Sequence, residues 1–309
     1  MTMPQHRSLA VPDGLVGERV DVAVAKLLGF SRTFASDVID RGGVEIDGRV
    51  AAKSTRLLSG SLLSITWEDP RAPEIVPVVI ADMQILYDDD DLVVVNKPPF
   101  LASHPSLGWE GDTVLGALAG AGYRISTSGP PERQGIVHRL DVGTSGLMIV
   151  AKSEVAYSVL KRKFKDRSVT KDYHALVQGE MTPSEGTVDA PIGRHPGSAW
   201  KFAITQDGRR AVTHFDTLTR YVGATLLTVG LETGRTHQIR VHMAAQRHPL
   251  VGDTLYGANP VFAEKVGLTR QWLHAVRLRF QHPVNGIDLD ITSDYAPDLA
   301  NSLKLLATR

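Results

Sequence analysis

Two short stretches of this sequence hold more reactive side chains than packing requires. In Ile136 to Lys152, IVHRLDVGTSGLMIVAK, the residues His138, Arg139, Asp141, Thr144 and Ser145 crowd a glycine-containing loop between apolar runs. A loop clamped by strands keeps a side chain both fixed and exposed, which is what a catalytic carboxylate needs. An ordinary turn with Asx-type hydrogen bonds from Asp141 and Thr144 uses the same residues. In Leu231 to Ala244, LETGRTHQIRVHMA, the residues Arg235, His237, Arg240 and His242 sit at or near a helix start. An amphipathic helix with solvated basic residues has the same composition.

What the chain lacks narrows the chemistry. It has no Walker loop, GxGxxG, HExxH or GxSxG, and its eleven histidines show no metal-ligand spacing. His237 and His242 are five apart, so they do not share a helix face as an i, i+4 pair does. With zero Cys there are no disulfides, thiolate metal sites, iron–sulfur clusters or cysteine nucleophiles. No metal and no cofactor are expected. No run approaches the roughly 20 apolar residues of a membrane span, and MTMPQHRSLAVPDG lacks the apolar core of a secretory signal. A cytoplasmic monomer is expected.

Net charge is zero, with 34 Lys+Arg against 34 Asp+Glu, which by itself argues against a polyanionic partner. The distribution argues the other way. Residues 1–75 hold nine basic and ten acidic side chains (net −1), residues 76–130 two and seven (net −5), and residues 131–309 hold 23 and 17 (net +6). Lys161, Arg162, Lys163, Lys165, Arg167 and Lys171 fall close together against the lone Asp166. A solvated helix face is the commoner fate of such a run.

The elements that must position these groups follow from periodicity. A length of 309 residues suits two domains at the usual ~150 residues each. The first segment reads as two short helices and small strands. Val20, Val24, Leu27 and Leu28 recur at helical spacing before Gly29, Ser31 is placed to cap a helix carrying Phe34, Val38 and Ile39, and Asp47-Gly48 marks a hairpin. A Pro-containing linker near Asp69 to Pro77 separates residues 1–75 from a second domain over 80–309. There, strands are expected at Ile85 to Tyr87, Leu92 to Val95, Gly146 to Ala151, Asp172 to Gln178, Ala224 to Leu231 and Leu273 to Phe280. Helices are expected from Ser153 to Lys165 and from Thr236 to Gln246, and Asp88 to Asp91 form a solvated turn. This order lacks regular βαβ alternation, so the fold class is α+β with a mixed, largely antiparallel sheet.

The two reactive stretches also match a known pattern. HRLDVGTSGL resembles the HRLDxxTSGL signature, and GRTHQIRVHMA the GRTHQ(I/L)RVH signature, of the RluA-type pseudouridine synthases. The likeness continues through VVVNKPPFLASHP around Lys97, KDYHALVQG from Lys171, PIGRHP from Pro191 and HPLVGDTLYG from His248, so it covers nearly all of residues 82–282. The last two segments point to the large-subunit synthase D group within that family. Residues 1–75 resemble the small S4-like RNA-binding domain that the family often carries.

The resemblance implies an enzyme that isomerises uridine to pseudouridine in RNA, most of all large-subunit (23S) ribosomal RNA, with no cofactor. It implies Asp141 as the catalytic carboxylate beside the sugar, Arg240 as its basic partner and Tyr173 as the ring that stacks on the uracil. Leu273 falls where the family sets an apolar residue against the base. Arg139 is placed to fill the gap left by a flipped nucleotide or to clamp a phosphate. His138, Thr144 and Arg235 share the two signatures and are expected to contact substrate. Three rivals stand beside this reading: a noncatalytic RNA-binding protein, a synthase acting on transfer RNA, and a glycosidase-like hydrolase, which normally needs two carboxylates. Two features depart from expectation. Residues 1–75 are net −1, whereas phosphate contact favours positive surface, although Arg32, Arg41, Arg49, Lys53 and Arg56 can still gather on one face. SLGWEGDT, Ser106 to Thr113, is acidic and carries a Trp.

Overall fold

The computed structural model describes residues 4–30, 32–68, 74–106, 109–198 and 201–308. The chain divides into two compact units, Met1–Ala72 and Pro73–Arg309. In the first, β1 (Gln5–Ala10), α1 (Val20–Leu28), α2 (Arg32–Asp40), β2 (Val44–Ile46), β3 (Arg49–Val50) and β4 (Leu62–Trp67) follow one another. The helical stripe of α1 buries Val20 and Val24, and Gly29 ends it in the left-handed region at φ 72°. Asp47 and Gly48, at φ 50° and 75°, make the tight turn between β2 and β3. Strand β1 was not foreseen: QHRSLA shows no apolar alternation, and its exposed residues gain their place by pairing antiparallel with β4. Leu57, Leu63 and Ile65 close the core of this unit with the helices. Ser31, the expected cap of α2, and residues 69–73 of the expected linker lie outside the described residues.

The second unit opens with β5 (Gln84–Asp88), β6 (Leu92–Lys97), α3 (Val114–Gly120), β7 (Ser145–Ala151), α4 (Glu154–Lys165) and β8 (Thr170–Gln178). It continues through β9 (Glu185–Asp189), β10 (Ile192–Arg194), β11 (Phe202–Ile204), β12 (Val212–Tyr221), β13 (Ala224–Leu231), α5 (Gln238–Ala245), α6 (Pro260–Lys265), β14 (Leu273–Gln281), β15 (Asp288–Thr292) and α7 (Pro297–Ala307). Nine strands form one sheet in the order β5-β6-β7-β14-β8-β13-β12-β9, with β15 paired to β14. Every pairing in it is antiparallel except β7 with β14. The fold is therefore α+β with a mixed, largely antiparallel sheet.

That one parallel pairing explains part of the TSGL signature. Gly146, at φ 112°, passes so close to β14 that a Cβ there meets Ala275 O at 2.3 Å, so only glycine lets the two strands approach. Strand β7 is buried along its whole length. One face packs Met148 and Val150 into the core that holds α3 and α5, and the other packs Leu147 and Ile149 against α4. Ser153 caps α4 by accepting from Ala156 N–H.

Two local expectations change. The acidic run Asp88 to Asp91 does form the β5–β6 turn, but it is not merely solvated. Asp89 accepts from Tyr87 O–H and from the N–H groups of Asp91 and Leu92, Lys152 pairs with Asp88, and Ser153 donates to Asp91. Asp89, Asp91 and His282 approach one another as metal ligands do. However, His282 Nδ1 already accepts from Val284 and Asn285 N–H, and its Nε2, although 2.8 Å from Asp89, makes no hydrogen bond. The second change is in α5, which starts at Gln238 rather than Thr236 because His237 takes a left-handed conformation at φ 57°. In SLGWEGDT, residues 107–108 lie outside the described ones, while Thr113 caps α3 by accepting from Gly116 N–H.

Candidate active site

Asp141 stands four residues before β7, in the loop that enters it, and the chain around it is held from several sides. Thr144 N–H donates to Asp141 O, and Thr144 Oγ1 accepts from Gln271 at 3.3 Å. Arg270, buried and paired bidentately with Asp298, donates to Gly143 O at 2.8 Å and to Ser145 Oγ at 3.2 Å. Ser145 also meets His274 Nδ1 at 2.8 Å. Lys97 is fully buried and donates to Pro98 O, Leu101 O and Val142 O at 2.9, 2.8 and 3.2 Å. Burial, then the nearby Arg270 charge, pushes its ammonium down to about 7. The three carbonyls match the three donors of the protonated form.

The second signature builds the opposite wall. Gln238 accepts from Thr233 O–H and Arg235 N–H and donates to Val212 O and Thr213 Oγ1, which fixes the loop before α5. His242, one turn on, is fully buried between Thr213 and Ala190 O and is a packing residue. His237 is directed differently: its Nε2 lies 3.9 Å from Asp141 and its Nδ1 2.8 Å from Tyr256 O–H. Burial lowers its pKa against the pull of Asp141, so the ring favours the neutral form beside the carboxylate.

Arg240 projects from α5 toward Asp141, with Nη1 at 3.5 Å from its carboxylate. Its bidentate partner, however, is Asp253, which takes Nε at 2.7 Å and Nη2 at 2.8 Å. The Tyr256 ring lies 5.0 Å from the guanidinium carbon. Burial opposes the Arg240 charge, and the Asp253 hydrogen bonds outweigh it, so its pKa rises. One guanidinium thus spans two carboxylates: Asp253 orients it, and its remaining nitrogen faces Asp141.

Asp141 opens into a cleft of about 930 Å³. Tyr173 on β8 lies opposite Ala275 on β14, and Ala175 opposite Leu273, so Tyr173 and Leu273 are diagonal neighbours on one sheet face. Both line the cleft and both are largely buried. Burial and the Asp141 charge push the Tyr173 phenol well above its ordinary pKa, which keeps it protonated as an apolar, stackable ring.

The other expected site residues also fall here. His138 stacks on Phe164 at 4.5 Å and accepts Ile149 N–H at Nε2; burial, then Lys171, pushes its pKa down to about 3, so it is a neutral anchor of the loop. Arg139 is exposed at the cleft edge, Thr144 is buried beneath it, and Arg235 donates through Nε to Arg210 O at 3.0 Å. The basic run is not simply a solvated face. Lys161, Arg162, Lys165, Arg167 and Lys171 line the cleft, while Lys163 turns to Gln281. Two other acids reach the cleft, Asp166 and Glu232. Glu232 is held by Arg210, Arg167 and His214.

Asp253, Tyr256 and Lys97 carry the site as much as the signature residues, and residue chemistry alone does not single them out as such. Asp253 stood in HPLVGDTLYG with nothing local to mark it. It is read as functional only once the loop after α5, pinned to Leu176 O and Trp272 N–H through Val251, brings it to Arg240.

Comparison with known proteins agrees with this geometry. The family model described as RNA pseudouridylate synthase matches residues 91–245. An uncharacterised RNA pseudouridine synthase of Mycobacterium bovis is 60% identical over 97% of this chain and 98% of its own length. The ribosomal large subunit pseudouridine synthase D of Vibrio cholerae is 38% identical over 94% of this chain and 91% of its own. The solved structure of human RNA pseudouridylate synthase domain containing 1 covers 72% of this chain and 88% of its own, at 29% identity and TM-score 0.57. The chain belongs to the RNA pseudouridylate synthase family and is an RNA-modifying isomerase. No described helix is long and apolar enough to cross a membrane.

Proposed function

We propose that this enzyme converts specific uridines of large-subunit ribosomal RNA to pseudouridine, acting as a cytoplasmic monomer with Asp141 as its catalytic carboxylate. The observation that carries this reading is the placement of Asp141 at the edge of a cleft floored by Tyr173 and Leu273, facing the Arg240 nitrogen that Asp253 does not use. The reaction breaks the bond from the ribose anomeric carbon to N1, turns the base and joins the same carbon to C5. C5 loses its proton, N1 gains one, and the mass of the RNA is unchanged. A fixed negative charge next to the sugar is what that sequence requires, and Arg240, 3.5 Å away, aims the Asp141 carboxylate. Tyr173 retains the detached uracil by stacking while leaving it free to rotate in plane, with Leu273 against the base. Arg139, Arg235 and the cationic edge from α4 take backbone phosphates, while His138 and Thr144 hold the loop. The unit Pro73–Arg309 acts as the catalytic domain and Met1–Ala72 as an RNA-binding module.

The choice of large-subunit rRNA is supported by relatives named for it at 37–39% identity over most of their length. The hydrolase rival loses one candidate second carboxylate, because Glu232 is already engaged by Arg167, Arg210 and His214. The test uses 23S rRNA from a strain lacking the gene, incubated with purified protein and mapped for carbodiimide-reactive positions. New stops with the wild-type protein and none with Asp141→Asn are expected, at constant RNA mass. Released uracil, or no new stops in 23S rRNA with the wild-type protein, overturns the reading.

A further inference from the structure

We propose that Phe100 is a stacking platform for a nucleobase of the RNA that flanks the target uridine. The inference rests on the reading of the Asp141 cleft as a uridine-isomerising site. Among the described residues, five other than glycine have a positive φ: Asp47, Phe100, Arg167, His237 and Arg247. Asp47 makes a hairpin turn. Arg167 and Arg247 each stand just past the C-cap residue of a helix, where the left-handed conformation is routine. His237 turns the chain into α5 and brings its ring to Asp141. Phe100, at φ 65°, sits in the turn that follows β6, a position that glycine or asparagine fills without cost and where a bulky side chain is strained.

Burial does not compensate the strain. Phe100 is 58% exposed, and no other Phe, Tyr or Trp among the described residues is in the exposed class. The turn that carries it is tied down on both sides. Phe100 N–H donates to Val142 O at 2.8 Å, and the buried Lys97 ammonium binds Pro98 O, Leu101 O and the same Val142 O. The backbone is thus locked to the residue after Asp141 while the ring is left outside. It borders a second hollow of about 400 Å³ on the far side of Asp141, shared with the exposed Arg139 guanidinium. A rigid aromatic face that shares this hollow with Arg139 and Asp141 fits a base on the ring and its phosphate on the arginine. Stacking is tolerant of sequence because every base has a π-face.

The test compares the full-length wild type with Phe100→Gly, Phe100→Leu and Phe100→Trp on an unmodified large-subunit rRNA transcript, measuring Kd, single-turnover conversion and Tm. Glycine adopts a positive φ without strain, so Phe100→Gly is expected to hold or raise Tm while weakening RNA binding about tenfold or more, the scale of one lost base stack. Phe100→Leu is expected to weaken binding similarly, and Phe100→Trp to retain it. Leu binding as tightly as Phe, an unaltered affinity in Phe100→Gly, or a Tm that falls together with affinity in Phe100→Gly overturns the inference. If the wild type forms no pseudouridine in the transcript, the reading of the site falls and this inference with it. If the wild type is active and Phe100→Gly is silent, only the inference falls.

Discussion

The two units of this chain handle buried polar groups in opposite ways. In Met1–Ala72 the core is aliphatic, and the one charged side chain buried there among the described residues, Asp21, is satisfied at the surface by Arg19 and Arg32 at 3.0 and 2.8 Å. In Pro73–Arg309 the interior holds Lys97, Arg240, Asp253, Arg270, His242, His274 and His282. Several of these converge on the loop that carries Asp141. Burying charge is costly unless every donor and acceptor is matched, so such a network persists where it fixes a geometry that apolar packing cannot. The contrast teaches where to look for function: in the region that buries polar groups, not in the one whose surface carries arginines.

The sharpest test of this contrast separates charge from fold at Asp141. Asp141→Asn keeps shape and loses the negative charge, so turnover on 23S rRNA should fall by about 10³-fold or more, with Tm and RNA affinity nearly unchanged. Multiple turnover by the purified variant contradicts the assignment. Asp253→Asn should behave in the opposite proportion. It strips the bidentate partner from a buried guanidinium, a loss of about 3–5 kcal/mol when one side of a buried pair is removed, and activity falls because Arg240 is no longer aimed. A double-mutant cycle with Arg240→Ala should show strong coupling to Asp253→Asn and weak coupling to Asp141→Asn. Equal coupling to both would place Arg240 on Asp141 as firmly as on Asp253.

Acid should also divide the two units. Burial, followed by neighbouring cations, pushes His138 and His274 down to about 3. The unfolded chain binds these protons below the ordinary histidine value of about 6.5, whereas the folded chain does not. Their contribution is therefore complete above that pH and is lost as pH falls toward 3. In the first unit the large shift is that of Asp21, whose carboxyl the Arg19 hydrogen bond, opposed by burial and aided by Arg32, holds far below the usual range. It loses stability only below about 4, as unfolded aspartate begins to protonate. Between about pH 7 and 5, pulse proteolysis with peptide mapping should show Pro73–Arg309 weakening and Met1–Ala72 holding. Parallel loss in both units breaks the comparison.

Much of this architecture is legible before any coordinates are seen, and the exceptions share a cause. Elements with clear periodicity, such as α1, β7, α4 and β13, stand close to where the apolar spacing sets them. Strand β1 is missed because its residues are polar and its order comes from β4. Helix α5 starts late because His237 is turned out of it toward Asp141. Local pattern records burial along one element, and these features depend on partners far away in sequence. The same holds in the site. The signatures mark Asp141 and Arg240, but Asp253 reaches Arg240 from another loop, and Lys97 acts through three backbone carbonyls that no sequence motif displays.

The smallest expected effect belongs to the first unit's charge. Its composition, net −1, left open whether Arg32, Arg41, Arg49, Lys53 and Arg56 form a phosphate-binding face. Much of that charge is already engaged: Arg19 and Arg32 with Asp21, Lys26 with Glu18, and Lys53 with Asp40. Arg56 donates to Gly17 O, which leaves its charge uncancelled, as are those of Arg41 and Arg49 among the described residues. A chain lacking residues 1–75 should therefore bind a long structured rRNA fragment more weakly, yet change the slope of log Kd against log salt by only one or two contacts of roughly 0.7–0.9 each. The cationic edge built by Lys161, Arg162, Lys165 and Lys171 in the second unit carries the rest. Charge reversal at Lys161 and Lys165 should accordingly lower the slope more than the deletion does. If the deletion has the larger effect, exposed arginines outweigh the cleft, and the first unit governs RNA binding despite its even charge balance.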